Sequence, residues 1–149
     1  MQTLLETAEL KIIELERQIL EIKQQNESKQ SERILSNHGW MTTIFEERIM
    51  PRTKELKEAL LKVKQAYSGE FKITTQFDVP ILHCEELTKL LNEILYLYKI
   101  RASSTDLKLR FQNSLPKIVS NMASLKNRFY IIKGNVSRTK KLDEEDIFG

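Results

Sequence analysis

His83 and Cys84 stand side by side in "ILHCEEL", and they are the residues of this chain whose side chains are best suited to hold a metal or to act as nucleophile and base. On a helix, adjacent residues point about 100° apart, so the two cannot grip one ion or pass one proton between them. Cys84 therefore reads as a small buried residue and His83 as a surface one. His38 lies beside Gly39 with no Cys or second His at ligand spacing. The paired acids Glu46-Glu47 and Glu85-Glu86 and the run Asp143-Glu144-Glu145-Asp146 have the residue type for acid-base work. Each has Lys or Arg nearby or sits at a helix end, where solvation and helix-end charge preferences account for it. Gly134 is isolated, and no glycine-rich phosphate cradle occurs. These residues predict no catalytic centre, no cofactor, no metal, no small-molecule substrate and no enzyme.

Two stretches have adhesive rather than catalytic chemistry. "KNRFYIIKGNVSRTKK" places Lys126, Arg128, Lys133, Arg138, Lys140 and Lys141 around Phe129 and Tyr130, a pattern able to contact an acidic partner such as nucleic acid or the microtubule surface. The same residues are also what flanks an ordinary coiled-coil seam, and that reading is preferred. "DEEDIF" has the composition of a short acidic-hydrophobic docking peptide or of a frayed acidic tail over 143–149.

The elements that position these residues follow from composition. In 149 residues there are only four Gly and three Pro, with 30% charged and 7% aromatic residues, the balance of an all-α chain with solvated outer faces. The net charge of +3, from 24 Lys+Arg against 21 Asp+Glu, is too small to indicate nucleic-acid binding unaided. One cysteine excludes an internal disulfide and suits a reducing compartment. No run approaches the apolar length of a membrane span, and "MQTLLETAELKIIELE" is too acidic for a targeting peptide, so a soluble intracellular protein is expected.

Two seams stand out. Leu5, Ala8, Ile12, Leu15, Ile19 and Ile22 alternate steps of three and four, with Asn26 at the next inward position, where a buried Asn commonly fixes register. Leu115, Ile118, Met122, Leu125, Phe129, Ile132 and Val136 do the same near the other end. Such stripes predict partner-helix seams, so the expected architecture is an elongated helical bundle completed by other chains. The spacing predicts a coiled-coil helix over 1–36, a bend at Gly39, and a second helical segment over 41–68, kinked near Pro51 and stopped at Ser68-Gly69. "FKITTQFDV" alternates like a strand without a pairing partner. It predicts an extended connector over 69–79 that lays Phe71 and Phe77 on a helix surface. A central leucine-rich helix over 80–102, capped by Asp78, is apolar on more than one side and is placed in the bundle interior. After "RASSTD", with Thr105 or Asp106 as the cap, the last coiled-coil helix runs over 105–142.

The pattern Pro116, Ile118, Asn121, Met122, Leu125, Phe129, Ile132, Val136, Ser137, Thr139, Leu142 resembles the C-terminal segment of a small coiled-coil subunit of the augmin (HAUS) complex. "VPI" at 79–81 opens a leucine-rich helix upstream, as a similar tripeptide does in that family, so the resemblance covers 79–142. It implies a structural subunit in an assembly that binds the side of a spindle microtubule and recruits the γ-tubulin ring complex to nucleate new microtubules. The setting it implies is the cytoplasm, the mitotic spindle and the centrosome. The partners it implies are the other coiled-coil subunits, with microtubules and γ-tubulin contacted indirectly. Seams alone fit equally a subunit of a kinetochore or lysosome-positioning complex. A self-contained helical bundle with a basic nucleic-acid-binding face is the contrasting expectation.

Overall fold

The computed structural model describes residues 3–27, 42–101 and 103–148, with side chains at all of these except 25–27, 42, 43, 104, 108 and 139–148. The described residues are all-α. Helix α1 spans Leu4–Glu27, and a π-helical segment, Thr42–Ile49, leads directly into α2, Met50–Ala66. A single turn, α3 (Phe71–Thr74), and a 3-10 turn, Thr75–Phe77, feed α4, Asp78–Lys99. The chain closes with α5, Ser104–Phe148.

Polar pairs between neighbouring helices report their directions. Glu9 meets Lys133 at 2.7 Å and Glu16 meets Lys126 at 2.8 Å, so α1 and α5 run antiparallel. Lys11 with Glu55 and Gln18 with Arg52 set α1 against α2 in the same way. Lys57 with Glu85 and Lys64 with Asp78 do so for α2 and α4, and Glu93 with Arg110 and His83 with Asn121 for α4 and α5. Each helix thus contacts the next and the last contacts the first, which is an up-and-down four-helix bundle. Exposed ion pairs add little stability, so here they indicate register rather than hold the fold.

The stabilising term is one continuous apolar core. Phe45, Phe77, Phe111 and Phe129 are fully buried, with Phe45 edge-on to Phe111 at 6.2 Å and Tyr67 stacked near Phe77 at 6.3 Å. Pro51 lies in the first turn of α2, where its missing N–H costs least, and the wider π turns precede it. Thr53 is buried there and donates its hydroxyl to the Ile49 carbonyl at 2.8 Å. Pro116 lies inside α5 on a solvent-facing side, and the helix continues through it.

Several expectations need correction. Residues 71–79 of the expected connector are helical rather than extended, because Ile73 and Phe77 are four apart, a spacing that strand and helix periods share, and both turn inward. Thr74 secures this turn by donating its hydroxyl to the Lys64 carbonyl at 2.8 Å. Phe77 is fully buried, but Phe71 is 78% exposed and is not laid on a helix. Asp78 does not cap α4: the preceding 3-10 turn runs straight into that helix, and the Asp78 carboxylate pairs with Lys64 instead. The cap of α5 is Ser103, whose Oγ accepts the Asp106 N–H at 3.2 Å, not Thr105 or Asp106. The backbone of α5 stays helical to Phe148, past the expected end near 142. Residues 28–36 of the expected first helix, His38 and the Gly39 bend lie outside the described residues.

Candidate functional site

The two apolar stripes face inward. Ala8, Ile12, Leu15, Ile19 and Ile22 from α1, and Leu115, Ile118, Met122, Leu125, Phe129, Ile132 and Val136 from α5, are at most 4% exposed in the single chain. Leu5 is half-buried and packs on the edge of this core, while the Asn26 side chain lies outside the described residues. The expectation that other chains complete these seams is therefore corrected: α1 and α5 cover each other, together with α2 and α4. A heptad stripe needs a facing helix, and an antiparallel helix of the same chain serves as well as one from another.

The candidate chemical residues are dispersed. Cys84 is buried, and desolvation pushes its thiol up to about 12, so almost none is thiolate at neutral pH. His83 is half-buried rather than a plain surface residue. Its Nδ1 lies 2.6 Å from Asn121 Oδ1, and Asn121 Nδ2 donates to the His83 carbonyl at 2.8 Å. That carbonyl can only accept, which fixes the Asn121 amide orientation and makes His83 Nδ1 the donor. Sequence reasoning missed this link, although the offset of Asn121 to one edge of the α5 seam was a signal that could have found it. Glu85 pairs with Lys57 and Glu46 with Lys99 at the bundle surface. Among the described residues, no three His, Cys, Asp or Glu side chains gather into a metal-binding group. No helix there is long and apolar enough to cross a membrane.

The basic stretch of α5 is divided by the fold. Lys126 and Lys133 turn toward α1 and are held by Glu16 and Glu9, hydrogen bonds that raise both ammonium pKa values. Phe129 is core, while Tyr130 stays on the surface with Lys133 5.9 Å from its ring centre. Lys117, Arg128 and Arg138 remain as exposed outward cations of the helix. Between α1 and α2 lies a shallow cleft of about 270 Å³ lined by Thr7, Leu10, Lys11, Glu14, Arg52 and Glu55. The charges in this cleft are of both signs, and several are tied in pairs.

Bundle architecture, dispersed polar residues and outward-facing helix surfaces define the class: a helical bundle whose available chemistry is on its helix faces. No protein-family model matches this chain, and neither the curated proteins nor the solved structures contain a match to it.

Proposed function

We propose that the chain is a structural, non-catalytic subunit of an augmin-type assembly, supporting microtubule-dependent nucleation by helping to bring the γ-tubulin ring complex to spindle microtubules. The single observation that carries this reading is α5. The segment with the augmin-like pattern lies on one helix of 45 residues, about 67 Å long. Its seam anchors it in the bundle from Leu115 to Val136. The Glu9–Lys133 and Glu16–Lys126 pairs set Leu4 level with about residue 138, so the last turns of α5 run beyond the start of α1. A rigid strut with one end outside its own bundle suits a subunit that holds other chains at fixed separation. The other coiled-coil chains would then engage this end and the outer faces rather than the buried seams.

Affinity purification of the tagged chain from dividing cells tests the proposal. Co-purification of a defined set of coiled-coil chains with γ-tubulin is the expected result, and a preparation lacking both counts against it.

The inward seams favour a second reading, a self-contained bundle that binds an acidic partner through the outward cations of α5. Under that reading the chain binds nucleic acid with strong salt dependence, and replacing Lys117 and Arg128 by Gln weakens that binding. No salt-dependent binding to duplex or single-stranded DNA would remove it.

A further inference from the structure

Helix α1 has a second stripe, distinct from its buried one. Glu6, Leu10, Ile13, Arg17, Leu20 and Gln24 alternate steps of four and three on the side opposite Ala8, Ile12, Leu15 and Ile19. All six are exposed, with Leu10 and Ile13 49% and 47% exposed. The stripe has an internal symmetry. Glu6 precedes Leu10 by four, Arg17 follows Ile13 by four, and the two apolar residues are three apart. Read backwards, the order is cation, apolar, apolar, anion.

We infer that this face binds a second copy of the chain, with the two α1 helices antiparallel about a two-fold axis between residues 11 and 12. In that register Leu10 of one copy meets Ile13 of the other, Glu6 meets Arg17, and Leu20 lies over Thr3, each contact occurring twice. These are the mixed layers that antiparallel heptad helices form. The flanking acids are each held by a cation of the same copy, Glu14 and Glu21 sharing Arg17. Glu9 and Glu16 are held by Lys133 and Lys126, and Glu14 takes both Arg17 Nε and Nη2, at 3.2 and 2.6 Å. Glu21 accepts the remaining Arg17 nitrogen at 2.7 Å, so the guanidinium is fixed on the outer face rather than left to wander. The cleft beside Leu10 offers room at the edge of the contact. A two-fold contact of this kind closes on itself and stops at a dimer. With one helix per copy at its centre, it is at the small end of specific interfaces, and its dimerisation depends on concentration. The inference does not rest on the augmin reading.

Sedimentation equilibrium on the full chain tests it, from micromolar to submillimolar concentration. The expected result is a monomer-dimer equilibrium that Leu10→Asp and Ile13→Asp each abolish, with unchanged helical circular dichroism because both sites are exposed. Glu6→Arg and Arg17→Glu each weaken dimerisation by about tenfold or more, and an equimolar mixture of those two variants recovers it, since every opposed pair is again of unlike charge. If Arg17→Glu lowers the helical signal by removing its own helix pairs, the aspartate variants still decide the matter. A monomer at every concentration, a dimer indifferent to both aspartate substitutions, or no recovery in a mixture of two folded variants overturns the inference.

Discussion

His83 and Asn121 are joined twice across α4 and α5: the His83 ring donates from Nδ1 to the Asn121 amide oxygen at 2.6 Å, and the Asn121 amide nitrogen donates to the His83 backbone carbonyl at 2.8 Å. Two half-buried polar groups at the edge of the apolar core thereby fix the register of the two helices. An apolar seam tolerates a shift of one heptad with modest loss, whereas a reciprocal polar pair does not.

Asn121→Ala removes both bonds at once and leaves the His83 ring N–H without its protein partner, while the His83 carbonyl keeps its bond within the helix. The expected loss is about 1–3 kcal/mol of unfolding free energy, measured by urea denaturation. Asn121→Leu, which keeps the branched shape but not the polarity, falls in the same range; a loss near zero for both would show that the seam alone sets the register.

Phe129 and Leu125 are fully buried. Phe129→Ala is expected to cost about 3–5 kcal/mol, and the double change of Leu125 and Phe129 to Asp to unfold the chain rather than merely detach it from partners. Loss of helical circular dichroism in the isolated double variant checks this. A folded double variant would mean that α5 is not core.

Desolvation holds the Cys84 thiol at about 12, above its unfolded value near 9.0. Above pH 9 the unfolded chain releases this proton while the folded chain keeps it, so this site's contribution to stability is present below pH 9 and declines as pH rises toward 12. Cys84→Ala should flatten that alkaline loss. Alkylation of Cys84 near neutral pH should occur only in denaturant, as followed by mass spectrometry.

Backbone geometry supplies two stabilising changes. Arg101, just past α4, has φ of 54°, the left-handed region in which a side chain is strained, so Arg101→Gly is expected to raise stability by about 0.5–1 kcal/mol. Gly134 sits within α5, where an added Cβ meets only the movable Arg138 guanidinium at 3.5 Å. Gly134→Ala should therefore contribute about 0.5–1 kcal/mol through helix propensity. Thermal denaturation reads both.

The sequence by itself determined the class of structure and the inward faces. Low Gly and Pro content and the steps of three and four at Ile12, Leu15 and Ile19, and at Leu125, Phe129 and Ile132, are local properties that dictate helices with one apolar side. It also placed Cys84 inside, and put α4, the most broadly apolar helix, in contact with both α2 and α5. The connector at 71–77 was not legible, because Ile73 and Phe77 satisfy either period and only packing chooses. Nor was the fate of the basic stretch, since helical neighbours of Phe129 turn either to Glu16 and Glu9 or to solvent according to where α1 lies. What only the tertiary structure decided is who covers the seams. Heptad spacing states that a helix needs a facing helix and is silent on which chain supplies it, because the burial energy is the same in either case. Here the chain folds back and supplies its own, and the outer faces are what remain for anything else to bind.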